Sequence, residues 1–131
     1  MAKYINPGGA APIAPYTPGV WVEASQTLYL SGQLGFLEDG KTLAPDVVSQ
    51  TRRACQRMEE VLREAGQGLT MENVVSNVVL LADMNDYAAM NAEYAKHFPA
   101  GKAPARMCYA VKALPLGAAV EIQGVAVKFH K

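Results

Sequence analysis

The hydrophobic positions of this 131-residue chain fall into segments with strand-like or helix-like spacing. Residues 19–23 and 27–30 alternate around Ala24-Ser25-Gln26, which predicts a β-hairpin that ends at Ser31-Gly32. Between residues 48 and 65 apolar side chains recur every three or four positions, so we expect an amphipathic helix, opened by Pro45-Asp46 and ended by Gly66. Residues 74–82 are so apolar that both faces of the predicted strand should be covered.

The second half of the chain continues the alternation. Residues 83–86 predict the start of a helix over residues 87–98, with one apolar stripe made of Tyr87, Met90, Tyr94 and Phe98. Residues 106–112 and 119–129 are β-prone and flank a Leu-Pro-Leu-Gly turn, so we predict two neighbouring antiparallel strands. Residues 1–18 contain four prolines and are predicted to be irregular. The predicted order is β-β-α-β-α-β-β, an α+β fold with two helices on one face of a mixed sheet.

The second face of this sheet has no predicted cover. The strands near residues 20, 30, 78, 108 and 124 make it too apolar to face water, which favours an oligomer assembled through this face. The length suits one hydrophobic core, so residues 1–131 are predicted to form a single domain.

Composition narrows the classes of partner. Twelve basic and twelve acidic residues cancel, so nucleic acid and anionic lipid are not expected partners, and the arginines at 52, 53 and 57 are interpreted as a solvated helix face. No apolar run approaches the roughly 20 residues of a membrane span. The first residues lack a secretory pattern, which favours a cytoplasmic location, although a transit peptide for an organelle could be missing from the sequence.

The few thiols and imidazoles suggest neither a metal site nor a cofactor. Cys55 and Cys108 form no C-x-x-C pair, and no histidine has the spacing of a zinc ligand. We therefore expect two free thiols in a reducing compartment. His97 and His130 are both predicted to be solvated.

Two charges interrupt the last two β-prone runs. Glu121 lies between Val120 and Ile122, where a carboxylate would be costly to bury without a partner. If the loop spans residues 113–116, Glu121 falls opposite Cys108 and one position from Arg106 on the same face, so that all three line one small pocket. A register slip of one residue would separate them, and a purely structural ion pair between Arg106 and Glu121 is the alternative.

These residues also carry a family resemblance. Pro104-Ala105-Arg106-Met107-Cys108, Leu114-Pro115 and Val120-Glu121-Ile122 resemble the signature of the RidA (YjgF-like) reactive-intermediate deaminases. The likeness extends to residues 11–16, 30–35 and 83–87 and to Asn91 and Tyr94, and thus covers nearly the whole chain. Two departures are Ala14 and Pro18, where the family commonly has glycine and glutamine. The resemblance implies a chorismate-mutase-like fold and a homotrimer with clefts between subunits.

The resemblance also implies a role for each candidate residue. Arg106 would hold the substrate carboxylate, Glu121 would handle water and protons, and the Cys108 backbone would bind the ligand. Tyr16 would close the pocket, with Ser31 and Asn91 nearby. The alternatives are that Glu121 only orients Arg106, that Tyr16 is a packing anchor, that Ser31 is a tight strand exit and that Asn91 is structural. A nucleophilic Cys108 is disfavoured because no histidine has the local context of an activating base.

The implied activity is the cofactor-free hydrolysis of 2-imino acids and their enamine tautomers, such as 2-iminobutyrate and 2-aminoacrylate, to 2-keto acids and ammonia. Free imines already hydrolyse in water, so positioning and proton transfer would suffice. The alternatives from other classes are a sensor that binds 2-keto acids without turnover, a translation inhibitor with ribonuclease activity, and a chaperone under oxidative stress.

Overall fold

The computed structural model describes residues 1–9, 12 and 14–129, and these form a mixed sheet with two helices against one face. The helices are α1 (Val47–Glu64) and α2 (Tyr87–Ala95). The strands are β1 (Ala2–Ile5), β2 (Gly19–Val22), β3 (Thr27–Leu34), β4 (Val74–Leu81), β5 (Ala105–Ala110) and β6 (Val120–Val127), arranged in the order β1-β2-β3-β6-β4-β5. The predicted α+β architecture, the β2–β3 hairpin and both helices are confirmed.

Strand β1 is a correction to the predicted order, because residues 1–18 were expected to be irregular. Ala2–Ile5 pairs antiparallel with β2, and Ile5 is buried in the main core. The prolines begin only at Pro7, so every residue of β1 keeps the backbone N–H that a strand needs. The order along the chain is therefore β-β-β-α-β-α-β-β.

The second correction concerns β5 and β6, which are not neighbours. β4 lies between them and pairs parallel with β5 and antiparallel with β6. The physical reason is the helix α2, since a strand-helix-strand connection returns the chain parallel to the strand that it left. The predicted hairpin, and with it the predicted pairing of Glu121 with Cys108, is wrong.

The two faces of the sheet are covered unequally. α1 begins at the N-cap Asp46, which accepts a hydrogen bond from the Ser49 N–H at 2.8 Å, and buries its apolar stripe on one face. A small cluster of Leu34, Phe36, Leu114 and Ala118 covers only part of the other face. Elsewhere on that face the side chains of Tyr29, Met107 and Tyr109 are 49%, 60% and 46% exposed. This helix-free face is therefore apolar and open, as the sequence predicts.

No helix in the described part of the chain has the length and apolar character needed to cross a membrane.

A buried carboxylate joins the two helices. Glu93 of α2 is 3% exposed and accepts hydrogen bonds from Arg52 of α1 at 3.1 Å, from Lys96 at 3.3 Å and from His97 at 2.9 Å. The His97 side chain is 12% exposed, so its predicted solvation is wrong, while His130 lies outside the described residues. Burial acts to raise the pKa of Glu93, but these hydrogen bonds outweigh it and lower the pKa to about 2.

We expect Glu93→Gln to destabilise the fold at neutral pH. The folded-state pKa lies below the ordinary 4.5, so the carboxylate contributes stability above about pH 4.5 and loses it as the pH falls toward 2. Denaturant unfolding at pH 7 and pH 3 measures this, and the deficit of the variant should shrink at the lower pH. Glu64→Gln, which removes an exposed carboxylate from α1, is the control. An equal deficit at both pH values would contradict the ionic role.

Candidate functional site

A cleft of about 390 Å³ opens where β3 and β6 meet the segment that contains Ala14 and Tyr16, here called the N-terminal arm. Its described lining residues are Ala14, Tyr16, Ser31, Gly32, Gln33, Leu34, Phe36, Arg57, Pro115 and Glu121. Three of the predicted site residues, Tyr16, Ser31 and Glu121, are thus brought together. This volume lies within the range of about 300–1,000 Å³ that is usual for small-molecule sites.

Ser31 holds the arm that carries Tyr16 against the sheet. The Ser31 hydroxyl donates to the Thr17 carbonyl oxygen, and the Ser31 N–H donates to the Pro18 carbonyl oxygen at 2.9 Å. β3 does not end before Ser31 but continues to Leu34, with a shift of register between Leu30 and Gln33. The prediction of a strand exit at Ser31-Gly32 is therefore wrong, and this bulge lets Ser31 reach the arm.

Glu121 lies against the backbone of the same bulge. A Cβ atom added to Gly32 would lie 2.5 Å from Glu121 Oε2, so only glycine leaves room for the carboxylate. The Glu121 side chain forms no hydrogen bond or ion pair with any residue that the structure describes. Burial raises the pKa of Glu121. The carboxylate is therefore a stronger base than usual, and none of the described residues occupies its oxygen atoms.

Arg106 lies in a second cluster, formed by β5 and α2. Its guanidinium donates to Asn91 Oδ1 at 2.7 Å and to the Tyr87 hydroxyl at 3.2 Å, and its carbon Cζ lies 5.0 Å from the centroid of the Tyr94 ring. These partners are neutral, and no carboxylate among the described residues pairs with Arg106. The interpretation as a structural ion pair with Glu121 is wrong, and the charge remains available to an anionic ligand.

The cradle of Arg106 includes two residues, Tyr87 and Tyr94, that the sequence analysis does not assign to the site. Tyr87, Asn91 and Tyr94 recur at intervals of four and three, so one side of α2 presents all three to the guanidinium. That spacing is visible in the sequence, where Tyr87 and Tyr94 are predicted only as members of the apolar stripe and of the motifs that carry the resemblance. On the strand beside β5, the Asn77 side-chain N–H donates to the Tyr94 hydroxyl at 2.9 Å. This hydrogen bond fixes the Tyr94 ring under Arg106.

Cys108 contributes an open strand edge next to Arg106. The Val111 N–H donates to the Leu81 carbonyl oxygen, so odd-numbered residues of β5 direct their backbone groups toward β4. The backbone groups of Arg106 and Cys108 therefore point to the open edge of the sheet. Burial raises the pKa of the Cys108 thiol, although nearby Arg106 acts in the opposite direction. A thiol that resists ionisation is a poor nucleophile, which supports a role for the backbone.

The two clusters do not meet within one chain. Arg106 is in register with Asn77, whereas Glu121 is in register with Leu80, three residues further along β4. Side chains alternate, so Arg106 and Glu121 lie on opposite faces of the sheet, with β5 and β6 on either side of β4. The spacing of residues and strands separates them by about 10 Å in each direction of the sheet. The predicted single pocket with Arg106, Cys108 and Glu121 on one face is thus wrong for an isolated subunit.

Other chemistry is limited among the described residues. No group of three or more histidine, cysteine, aspartate or glutamate side chains in that part of the chain could hold a metal ion. Cys55 is fully buried, and burial raises the pKa of its thiol to about 12. Of the residues that carry the resemblance, those at positions 11 and 13 lie outside the described residues.

Comparison with known proteins shows which family has this sequence and architecture. The profile of the endoribonuclease L-PSP family matches residues 8–128. A mouse protein named 2-iminobutanoate/2-iminopropanoate deaminase is 42% identical over 119 residues, covering 90% of this chain and 84% of its own. RidA from an Antarctic Psychrobacter superposes with a TM-score of 0.85 at 28% identity, covering 96% and 99% of the two chains. The structure of E. coli TdcF with bound serine superposes with a TM-score of 0.82 at 27% identity, and the match covers 97% of this chain and 99% of TdcF. The resemblance found in the sequence is confirmed, and the chain belongs to the endoribonuclease L-PSP family, which includes the RidA proteins.

Proposed function

We propose that this protein hydrolyses 2-imino acids, among them 2-iminobutanoate and 2-iminopropanoate, to 2-keto acids and ammonia. The observation that carries the proposal is the Arg106 guanidinium, which neutral side chains hold beside an open strand edge with no carboxylate partner among the described residues. Such a fork binds a carboxylate through two parallel hydrogen bonds. The name of the mouse relative supports the reaction.

The reaction needs water and proton transfer at one carbon atom. In our proposal, Arg106 and the Cys108 backbone bind and orient the substrate, and Glu121 accepts a proton from a water molecule as its oxygen adds to the imine carbon. For the iminium form of the substrate, return of that proton to nitrogen gives the N-protonated carbinolamine. The C–N bond then breaks to release ammonia, and the hydroxyl proton passes to Glu121 as the C=O bond of the 2-keto acid forms. Enamine tautomers enter after protonation at carbon. The raised pKa of Glu121 suits both proton transfers near neutral pH.

Because Arg106 and Glu121 are apart within one chain, we propose that each active site lies between two subunits. The open edge of β5, with Arg106 and Cys108, would lie against the Glu121 cleft of the partner subunit. A head-to-tail contact of this kind closes into a ring, and we propose a homotrimer. The exposed apolar side chains of Tyr29, Met107 and Tyr109 on the helix-free face support such an assembly.

Mixed oligomers test this arrangement directly. Arg106→Ala and Glu121→Gln subunits should each be inactive alone, but a mixed trimer contains one interface at which an intact Arg106 meets an intact Glu121. Co-expression in equal amounts should restore up to about one quarter of wild-type activity. Light scattering should give about three times the 14.0 kDa chain mass. A stable monomer, or mixed oligomers that remain inactive, would contradict an intersubunit site.

The activity itself is tested with imines made in situ. An amino-acid oxidase or a dehydratase supplies 2-iminobutanoate or 2-aminoacrylate, and formation of the keto acid is followed with and without the protein. We expect acceleration by the wild-type protein. Tight binding of 2-oxobutanoate without any acceleration would instead favour a 2-keto-acid sensor.

The family description also mentions endoribonuclease activity. Twelve basic residues balanced by twelve acidic ones supply no net field for phosphate groups, so we do not propose nucleic acid as the substrate. For the location of the protein we propose the cytoplasm, where the free thiols of Cys55 and Cys108 would stay reduced, with an organelle as the alternative.

A further inference from the structure

The Glu121 cleft contains a cation that the proposed reaction does not use. Arg57 of α1 lines the cleft together with Tyr16, Ser31 and Glu121, and it is the only basic residue among the described lining. Its guanidinium carbon lies 5.6 Å from the centroid of the Phe36 ring. The guanidinium forms no hydrogen bond or ion pair with any residue that the structure describes. Its position on the aromatic ring therefore leaves all five N–H donors unused by the described residues.

The two other arginines of this helix face are engaged within the fold. Arg52 is paired with the buried Glu93 at 3.1 Å. Arg53 donates to the Phe36 carbonyl oxygen at 2.8 Å and to the Gln56 side chain at 2.7 Å. Arg53 thus fixes the backbone of the residue on whose ring Arg57 rests, which makes Arg57 part of an ordered cleft wall.

We propose that Arg57 selects 2-imino acids whose side chain carries a second carboxylate. This inference rests on the proposed function and extends it to the substrate class. The α-carboxylate would bind Arg106 of the partner subunit, and the imine carbon would lie beside Glu121. The side chain would then extend along the cleft toward Phe36 and Arg57, so that the two ends of the substrate meet two separate guanidinium groups.

The competing role for Arg57 is to balance acidic residues in a neighbouring cleft. That second cleft, of about 400 Å³, is also lined by Arg57 and contains Glu38, Asp39, Glu60 and Glu64. None of these acids forms an ion pair with Arg57. The two roles differ in their consequence, because only contact with substrate makes the effect of Arg57 depend on the charge of the substrate side chain.

The test compares two substrates in the Arg57→Gln variant. L-aspartate oxidase supplies 2-iminosuccinate and an amino-acid oxidase supplies 2-iminobutanoate, and kcat/KM is measured for each. Loss of hydrogen bonds to a charged group should lower the ratio of the dicarboxylate to the monocarboxylate value by roughly 10- to 100-fold. Arg63→Gln removes the same charge from an exposed position on α1 that does not line the Glu121 cleft. This control variant should leave the ratio unchanged.

Calorimetric titration with 2-oxoglutarate and 2-oxobutanoate gives a second readout that does not need turnover. The wild-type protein should bind the dicarboxylate more tightly, and Arg57→Gln should lose that preference. A ratio that is unchanged in Arg57→Gln, or that falls equally in Arg63→Gln, would overturn the proposal. If no imine is hydrolysed, the proposed function fails, and the titration alone still decides whether Arg57 recognises the second carboxylate.

Discussion

Replacing Arg106 by alanine should lower kcat/KM for 2-iminobutanoate by roughly 10²- to 10⁴-fold, the equivalent of two hydrogen bonds to a charged group. The guanidinium is held by Asn91, Tyr87 and Tyr94, and no carboxylate in the described part of the chain neutralises it, so it can bind the carboxylate of a ligand. The loss should appear with in situ imines in the keto-acid assay. Circular dichroism and the oligomer mass should match the wild type, since Arg106 lies on an edge strand and pairs with no acidic residue that the structure describes.

Arg106→Lys separates the geometry of the cation from its charge. A lysine carries the same charge but cannot contact Asn91 and Tyr87 and still present a planar fork to a carboxylate. We therefore expect the lysine variant to recover only a small part of the lost activity. Near-normal rates in this variant would show that the site requires positive charge alone.

Local patterns in the sequence predict the elements of this fold well. The spacing of apolar residues in α1 and its stop at Gly66 define a helix that the structure places at Val47–Glu64. Most of α2, β4 and the β2–β3 hairpin follow in the same way, because a period of 3.6 or 2 records which side chains face the core. The alternation also predicts the open apolar face, since residues such as Met107 and Tyr109 have no covering helix.

The arrangement of the strands was less predictable. Two β-prone runs separated by a Leu-Pro-Leu-Gly turn favour a hairpin locally, but the crossover through α2 places β5 on the far side of β4. The choice depends on contacts that are distant in sequence, which no local pattern records. The observed strand order places Glu121 on the face opposite to Arg106, so the pocket predicted within one chain becomes a proposed site between two.

The charged residues show the same limit. Arg52, Arg53 and Arg57 are equivalent in the sequence, as polar positions of one amphipathic helix. In the fold they have three different environments, namely an ion pair with Glu93, a backbone carbonyl oxygen and a cleft wall. Residues outside α1 decide these environments, so their roles become visible only with the tertiary structure.

The sharpest test of the chemistry is Glu121→Gln. Glutamine keeps the size and some hydrogen bonding of Glu121 but cannot accept a proton from water, so turnover should fall by the roughly 10²- to 10⁴-fold typical of general acid-base catalysis. Calorimetry should still detect binding of 2-oxobutanoate, because Glu121 makes no contact that positions Arg106 within the described chain. Weakened binding in step with turnover would assign Glu121 a role in orienting the arginine instead.

The pH dependence of kcat/KM also tests Glu121 as the base. Burial raises the pKa of Glu121 above its ordinary 4.5, and the base works only when ionised. The kcat/KM of the wild type should therefore fall as the pH drops through that raised pKa, and Glu121→Gln should lack this acidic limb.

Cys108→Ser keeps the backbone of β5 and a small polar side chain, so most activity should survive, whereas an enzyme with a thiol nucleophile would lose nearly all of its activity. An inactive Cys108→Ser beside an active Glu121→Gln would reverse the two assignments and make the thiol the reacting group.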